Sequence, residues 1–212
     1  MVNQIRDMRR AVFLDRDGVI CTEEGYISDP SHLRLIPGAA DAIRLINQSG
    51  LAAVVITNQS GVARGFFTEE TVAALNRAMH ERLEEQGAHL DAVYYCPHHP
   101  EGAVETYRLA CDCRKPATGM LRLAADVCNL DLKRSYLVGD KLSDIECAGR
   151  AGMKGILVLT GYGAEECKRL DQTPGVHPAF VAADLREAAG WILKDLRSSN
   201  HEDIDHQAER DR

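Results

Sequence analysis

The stretch RAVFLDRDGVICT, residues 10–22, joins a short apolar run to a cluster of charged residues and a glycine. Residues 11–14 (AVFL) are continuous, apolar and rich in strand formers, which predicts a fully buried β-strand. Asp15 and Asp17 follow at once, and Gly18 turns the chain. In open α/β sheets the active site lies just beyond the carboxyl ends of the strands. The stretch therefore predicts an α/β fold with two carboxylates at its functional edge.

The same arrangement, a buried strand followed by polar residues, recurs along the chain. Further strands are predicted at 51–56, 90–95, 135–138, 156–159 and 179–182, with helices at about 37–50, 68–85, 119–128, 143–151 and 184–196. Strands that alternate with helices predict a three-layer, Rossmann-like fold, in which a mostly parallel sheet has helices on both faces. The recurrence also argues against the simpler interpretation of 15–18 as a polar turn that only closes a strand.

The composition is typical of a soluble globular protein, with 212 residues, 45% hydrophobic and 27% charged. We expect one domain over residues 1–196, and a disordered tail over the almost wholly polar residues 197–212. The net charge of −7 argues against nucleic acid or an anionic membrane as a partner. The start lacks the apolar core of a signal peptide, and no segment approaches the roughly 20 apolar residues of a membrane span. We therefore expect a cytoplasmic protein, and a monomer.

Residues that follow parallel strands meet at one edge of the sheet. That edge is predicted to collect Asp15, Asp17, Thr57, Asn58 and Asp140, with Arg114 and Lys115 reaching in from an irregular stretch. Three carboxylates in one place repel each other unless a hard cation neutralises them, and oxygen ligands with room for water and phosphate suit Mg²⁺. A lysine and a threonine hydroxyl suit the remaining phosphate oxygens. One aspartate can attack phosphorus while a second moves protons, which predicts phosphate-ester hydrolysis.

A second set of metal ligands lies between residues 96 and 113. It consists of two pairs, Cys96 with His98 and Cys111 with Cys113, which twelve residues separate. Four such ligands can close a tetrahedral Zn²⁺ site with no open position, which is typical of structural zinc. The alternative, unrelated buried cysteines, is weak because the intervening prolines, glycine and glutamate make a poor apolar core. Seven cysteines without a secretory signal also favour metal binding over disulfides.

Four motifs resemble those of the haloacid-dehalogenase-type (HAD) phosphohydrolases, in the same order: DRDG at 15–18, TNQSG at 57–61, RKP at 114–116 and GDKLSD at 139–144. With GVARG at 61–65 and CPHHP…CDCRKP at 96–116, they are similar to the branch of that family that removes the 7-phosphate of heptose 1,7-bisphosphate. We call residues 96–113 the metal loop. The resemblance covers about residues 11–160. It implies a HAD-like fold with no separate cap domain, whose place is taken by a zinc-binding loop at 96–113.

The resemblance also implies a role for each site residue. Asp15 would be the nucleophile, and Asp17 the general acid and base. Thr57 and Lys115 would stabilise the phosphoryl group, and Mg²⁺ would bind to Asp15, to the carbonyl of Asp17 and to Asp140. The residues implied to bind the substrate are Glu23, Glu24, Gly25, Tyr26, Asn58, Gln59, Ser60, Arg114 and Lys141.

Three functions stay open on these grounds. The first is a Mg²⁺-dependent, zinc-containing phosphatase for a sugar bisphosphate, in the synthesis of nucleotide-activated heptose for lipopolysaccharide and other surface polysaccharides. The second, histidinol-phosphate phosphatase, shares the motifs and the metal loop, but Arg114 beside Lys115 favours a substrate with a second anionic group. The third is a zinc-stabilised binding module that has lost catalysis, which is disfavoured because every catalytic position is filled. We expect Asp144 to orient Lys115 or cap its helix rather than bind metal.

Overall fold

Six parallel strands form one sheet at the centre of the computed structural model, which describes residues 8–210 and the side chains of residues 8–198. The strands are β1 (Ala11–Leu14), β2 (Ala52–Asn58), β3 (Ala92–Cys96), β4 (Tyr136–Gly139), β5 (Lys154–Val158) and β6 (Phe180–Ala182). Their order across the sheet is β3-β2-β1-β4-β5-β6, and every pairing is parallel. The chain thus reverses its direction of winding at β1, where α/β folds bind their ligands.

Within residues 8–210 there are seven α-helices, of which six lie between strands and the last follows β6. They are α1 (Ala39–Gln48), α2 (Gly61–Arg64), α3 (Glu69–Glu84), α4 (Gly119–Cys128), α5 (Leu142–Arg150), α6 (Gly163–Cys167) and α7 (Leu185–Arg210). The buried residues of α1, α3 and α7 share one core with one face of the sheet. Those of α4 and the inner side of α5 share a second core with the other face. The predicted three-layer α/β fold is confirmed.

The central strand β1 is covered on both faces. Val12 and Leu14 belong to one core, whereas Ala11 and Phe13 belong to the other, and all four residues are fully buried. A strand with two buried faces has an unbroken apolar sequence instead of an alternating one. The chain turns polar abruptly at Asp15 because it leaves the sheet there and lines the pocket.

The helices depart from the predictions in three places. The short helices α2 and α6 were not predicted, because four or five residues carry no helical period. We predicted that the last helix ends near Leu196, whereas α7 is Leu185–Arg210. The segment 197–210 contains no proline or glycine, so nothing in its backbone chemistry interrupts a helix already started on the core. Residues 1–7 and 211–212 lie outside the described residues.

Side chains cap the starts of two helices. The Thr68 side chain accepts a hydrogen bond from the backbone N–H of Thr71 at the start of α3. At the start of α7, Asp184 accepts a hydrogen bond from the N–H of Glu187, whose own carboxylate accepts one from Ala183. Such contacts satisfy the N–H groups that a first helical turn leaves without partners. In the described part of the chain, no helix is both long enough and apolar enough to cross a membrane.

Candidate active site

A pocket of about 350 Å³ opens at the carboxyl ends of β1, β2 and β4. The predicted residues that line it are Asp15, Asp17, Glu23, Gly25, Tyr26, Thr57, Asn58, Gln59, Ser60, Arg114, Lys115 and Lys141. Asp140 is fully buried behind the wall of the pocket. Glu24 departs from the prediction, because it is exposed and its carboxylate accepts a hydrogen bond from the hydroxyl of Thr22 at 3.0 Å. Its neighbours in the same loop line the pocket.

Lys115 is a buried cation held between two carboxylates. Its Nζ lies 2.6 Å from Asp144 Oδ1 and 3.1 Å from Asp15 Oδ2, and it donates a hydrogen bond to the carbonyl of Ile56 at 2.9 Å. Burial opposes the charge, but the carboxylates of Asp144 and Asp15 raise the pKa of Lys115 above its usual value. Asp144 also accepts a hydrogen bond from the N–H of Lys141, so it both orients Lys115 and caps α5. The ammonium group therefore stays charged beside Asp15.

Asp15, Asp140 and Asp144 form a cluster in which one carboxylate oxygen of each lies within 4.8 Å of the others. Asp140 Oδ2 accepts a hydrogen bond from the N–H of Tyr162 at 2.9 Å, whereas the buried Oδ1 has no partner among the described residues. Burial, and then the neighbouring Asp15, raise the pKa of Asp140 to about 7. A buried carboxylate oxygen without a donor is costly. Asp140 Oδ1 is therefore the oxygen of this cluster that is available to a hard cation, with the carboxylate of Asp15 beside it.

Gly18 allows the loop after β1 to pass directly over Asp140. Its φ is +81°, in the left-handed region that glycine favours, and a Cβ there would overlap Asp140 Oδ2. Thr160 also holds Gly18 in place, because its hydroxyl donates a hydrogen bond to the carbonyl of Gly18 at 2.6 Å. The loop that follows β5 therefore fixes the position of the loop that carries Asp15 and Asp17.

The side chains of Thr57 and Gln59 are almost fully buried at the end of β2. Gln59 Nε2 lies 3.0 Å from Thr57 Oγ1 and 2.9 Å from Asp17 Oδ2, and it donates to both. Thr57 accepts this hydrogen bond, so its own proton is available for a phosphate oxygen. Gln59 and Asn58, which we predicted to bind substrate, line the pocket, and their side chains also form hydrogen bonds within the protein. Asn58 binds the backbone N–H and carbonyl of Lys115 at 3.0 and 3.1 Å.

Arg16 lies between the two aspartates of the first motif, and we did not single it out from the sequence. Only 5% of its side chain is exposed. Its Nε donates to Asp17 Oδ1 at 3.0 Å and its Nη2 to Asp17 Oδ2 at 2.8 Å. Burial opposes its charge, but Asp17 raises the pKa of Arg16 above its usual value. The signal in the sequence is a charged residue placed immediately after a buried strand, where burial demands a charged partner.

The mouth of the pocket is formed by loops and is more exposed than its floor. Lys141 Nζ lies 3.5 Å from Glu23 Oε2 and 4.5 Å from the centre of the Tyr162 ring, a cation–π arrangement. On the opposite side, the rings of Tyr26 and Phe66 are 4.5 Å apart. Tyr162 lines the pocket and was not predicted, because no local pattern marks a loop aromatic residue that turns back towards the site.

The side chains of Cys96, His98, Cys111 and Cys113 converge as predicted. The Sγ atom of Cys113 lies 3.1 Å from the Sγ atom of Cys96 and 3.1 Å from that of Cys111. His98 Nδ1 lies 3.4 Å from Cys113 Sγ. These distances are far longer than a disulfide bond of about 2.05 Å, and all of these cysteines are free. Burial raises the pKa of the Cys113 thiol to about 11, so a thiolate there needs a cation. The cluster can hold a four-coordinate metal ion.

The metal loop is attached to the rest of the fold by contacts outside this cluster. The hydroxyls of Tyr95 and Tyr107 both donate to the carboxylate of Glu69, at 2.6 and 2.7 Å. The N–H of Val104 donates to the carbonyl of Ala63 in α2 at 2.9 Å. The loop therefore lies against α2 and the start of α3, and it leads directly from Cys113 into Arg114 and Lys115 of the pocket.

Comparison with known proteins agrees with this geometry. The HAD-hydrolase-like family matches residues 112–188. The D-glycero-beta-D-manno-heptose-1,7-bisphosphate 7-phosphatase of Escherichia coli strain K12 is 47% identical over 186 residues, which cover 88% of this chain and 89% of that protein. The D-glycero-D-manno-heptose-1,7-bisphosphate 7-phosphatase of Thermosynechococcus vestitus is 46% identical over 192 residues, 89% of this chain and 97% of that one. The chain belongs to the heptose-1,7-bisphosphate 7-phosphatase family.

A solved structure of the same family has the same fold. The D,D-heptose 1,7-bisphosphate phosphatase from B. bronchiseptica, complexed with magnesium and phosphate, matches with a TM-score of 0.76 and 34% identity. The match covers 88% of this chain and 99% of that one. As a member of the heptose-1,7-bisphosphate 7-phosphatase family, the chain is a HAD-type phosphoric monoester hydrolase, which confirms the family and the class of enzyme predicted from the sequence. A binding module without catalysis is not supported.

Proposed function

We propose that the enzyme hydrolyses the 7-phosphate of D-glycero-D-manno-heptose 1,7-bisphosphate and releases heptose 1-phosphate, in the synthesis of nucleotide-activated heptose. The observation that carries the proposal is the distribution of cations in one pocket. Lys115 is buried against Asp15 on the floor, whereas Arg114 and Lys141 lie at the mouth. A substrate with a phosphate at each end requires positive charge at both places. The relatives described above are named for such a substrate, so histidinol phosphate is the less favoured one.

In the first chemical step, a carboxylate oxygen of Asp15 attacks the phosphorus of the 7-phosphate. The bond between phosphorus and the sugar oxygen breaks, and Asp17 donates a proton to that departing oxygen. Lys115 and the free hydroxyl proton of Thr57 stabilise the charge on the phosphoryl oxygens. The products of this step are the sugar with a free 7-hydroxyl and an aspartyl-phosphate at Asp15.

In the second step, water hydrolyses the aspartyl-phosphate. Asp17, now ionised, takes a proton from the water while the water oxygen attacks phosphorus. The bond from phosphorus to Asp15 breaks, inorganic phosphate leaves and the Asp15 carboxylate is restored. Dividing the reaction in this way matters because hydrolysis of phosphate monoesters is among the slowest uncatalysed reactions, with enzymatic accelerations up to about 10²¹-fold.

Mg²⁺ is the proposed cofactor at the floor of the pocket. The ligands would be the carboxylates of Asp15 and Asp140 and the carbonyl of Asp17, and the bound ion would act as a Lewis acid on the phosphoryl oxygens. Supporting this is the buried Oδ1 of Asp140, which lacks a hydrogen-bond donor among the described residues. The B. bronchiseptica relative was solved with magnesium and phosphate.

Zn²⁺ is the proposed ion of the second cluster, with Cys96, His98, Cys111 and Cys113 as its four ligands. Three thiolates and one imidazole leave no open position, so its role is structural. It would fix the loop that carries Arg114, whose Nη1 donates to the carbonyl of His98 at 3.3 Å. Zinc-binding thiols must stay reduced, so we assign the enzyme to the cytoplasm. We also propose that it is a monomer, which light scattering of the purified protein tests.

A phosphate-release assay with Mg²⁺ tests the substrate. It compares the α and β anomers of heptose 1,7-bisphosphate with histidinol phosphate, with purified protein. We expect kcat/KM for one heptose anomer to exceed that for histidinol phosphate by roughly 10- to 100-fold or more, because a charge-assisted contact contributes about 1.5–3 kcal/mol. Higher efficiency on histidinol phosphate would overturn the proposed substrate and leave the chemistry at Asp15 intact.

A further inference from the structure

We propose that Arg16 is the positioning residue of the acid–base step, because it holds the carboxyl group of Asp17 in a single orientation and so selects which oxygen carries the transferred proton. The inference rests on the proposed function only in that the chain transfers a phosphoryl group to Asp15. It does not depend on which phosphate ester is the natural substrate.

The guanidinium group of Arg16 is fixed from three directions. Two of its N–H groups form a fork on the oxygens of Asp17, at 3.0 and 2.8 Å. Its Nη2 also donates to Gln59 Oε1 at 3.0 Å, and its Nη1 donates to Asn76 Oδ1 at 3.1 Å. Gln59 follows β2 and Asn76 lies on α3, so the group is anchored to two separate elements. A buried, planar cation with four hydrogen bonds has no room to rotate.

The hydrogen bonds to Asp17 are unequal. Oδ2 accepts two, from Arg16 Nη2 at 2.8 Å and from Gln59 Nε2 at 2.9 Å, whereas Oδ1 accepts one, from Arg16 Nε. The oxygens of a carboxyl group each have two lone pairs, so Oδ2 is saturated and Oδ1 keeps one free. We assign the transferred proton to Oδ1. The Asp17 side chain is 21% exposed and lines the pocket, so this oxygen can reach a leaving group.

The two chemical steps depend on this orientation in different ways. When the leaving group is a sugar oxygen, Asp17 Oδ1–H must protonate it as its bond to phosphorus breaks. When the leaving group is p-nitrophenolate, which departs without a proton, the transfer to Asp15 needs no acid. Hydrolysis of the aspartyl-phosphate needs Asp17 as a base in both cases. A misplaced Asp17 carboxyl group therefore slows phosphoryl transfer from a sugar phosphate but does not slow transfer from p-nitrophenyl phosphate.

The test is R16K, measured in rapid-mixing single turnovers with Mg²⁺. Lysine keeps the positive charge and loses the fork. We expect phosphoryl transfer to Asp15 from heptose 1,7-bisphosphate to slow by about 10- to 100-fold, within the range of acid–base contributions. Transfer from p-nitrophenyl phosphate should change by less than about threefold and should appear as a burst of one nitrophenolate per enzyme, followed by slow turnover.

R44K is the matched control, since it makes the same replacement in an exposed pair with Asp41, at 2.7 Å, outside the site. It should leave both transfer rates at the wild-type value. N76A is the second variant and removes one of the four hydrogen bonds of Arg16. Asn76 is half-buried on a helix, where alanine has a high helix propensity, so the variant should fold. We expect N76A to slow phosphoryl transfer from heptose 1,7-bisphosphate by about threefold and to leave transfer from p-nitrophenyl phosphate unchanged.

Equal slowing of transfer from both esters, in R16K or in N76A, would overturn the inference, because a merely structural role disturbs Asp15 as much as Asp17. Wild-type rates in both variants would overturn it as well. If R16K does not fold, N76A decides between these outcomes. If the wild-type enzyme is inactive on heptose 1,7-bisphosphate but active on another alkyl phosphate, the proposed substrate fails, and the same comparison is made with that ester.

Discussion

The floor and the mouth of the pocket are built from different parts of the fold. Asp15, Thr57 and Asp140 stand at the ends of strands, and the side chain of Lys115 is buried among them. The mouth is formed by loop residues such as Tyr26 and Tyr162, which are 49% and 46% exposed. Groups on the floor are held by buried ion pairs and hydrogen bonds, and groups at the mouth by ring contacts and partly exposed ion pairs. A rigid floor suits chemistry common to many phosphate esters, whereas an exposed mouth suits selection of one ester.

D15N, a change on the floor, should cause the largest loss of activity. It removes the attacking oxyanion while keeping the size of the side chain, so we expect phosphate release to fall by about 10⁵-fold for every ester. Steady-state assays on heptose bisphosphate and p-nitrophenyl phosphate measure this. Loss on only one of the two esters would show that the floor is not common to both reactions.

K115M should be the next largest change. Removing one partner of a buried ion pair leaves Asp15 and Asp144 facing each other without a cation, which costs about 3–5 kcal/mol in the free energy of unfolding. Loss of the positive charge beside the phosphoryl group should lower kcat by about 10²- to 10³-fold. Urea denaturation and kcat on both esters test this. A stable and active K115M would contradict the view of the floor as an electrostatic unit.

Loss of the metal ion from the cysteine cluster should affect the mouth alone. In C111S we expect less than one bound Zn²⁺ per chain by elemental analysis, and a KM for heptose bisphosphate raised by about 10-fold through displacement of Arg114. The kcat for p-nitrophenyl phosphate should stay within about threefold of wild type. A parallel fall in kcat for both esters would instead assign the metal loop to the floor.

Y162L should have the smallest effect. It removes the ring beneath Lys141 but keeps the backbone N–H that binds Asp140. Loss of a cation–π contact of about 0.5–1 kcal/mol predicts a rise in KM of roughly 2- to 5-fold with kcat unchanged. Steady-state kinetics on heptose bisphosphate measure it. A fall in kcat would show that the ring also affects Asp140 and would weaken the division between floor and mouth.

The floor was the more predictable region. Asp15 and Thr57 follow apolar runs whose burial is evident in the sequence, and parallel strands bring their carboxyl ends together whatever the loops do. The convergence of Cys96, His98, Cys111 and Cys113 was also predictable, because two closely spaced pairs of such residues are typical of a metal site. The fold class followed from the same alternation of strands and helices.

The mouth and the supporting contacts were less predictable, because they depend on side-chain directions. Nothing local in the sequence indicates that the side chain of Gln59 forms hydrogen bonds with Arg16 and Thr57. Nor does it indicate that Glu23 lines the pocket whereas Glu24 does not. Tyr162 is placed by the loop after β5, far in sequence from its neighbour Lys141 in the site. The end of α7 was predicted too early because the apolar period that marks the helix stops near Leu196, although a polar helix can continue from a packed start.

The shared carboxylate of Glu69 bears on the order in which the protein is assembled. Tyr95 and Tyr107 both bind it, and Val104 binds Ala63, by contacts that involve no metal ligand. Folding of the chain alone therefore holds residues 95–107 against α2 and the start of α3, so that an incoming ion has only residues 108–114 left to order. The metal ion can then bind after the hydrophobic core has folded, and exchange of the ion leaves that core intact.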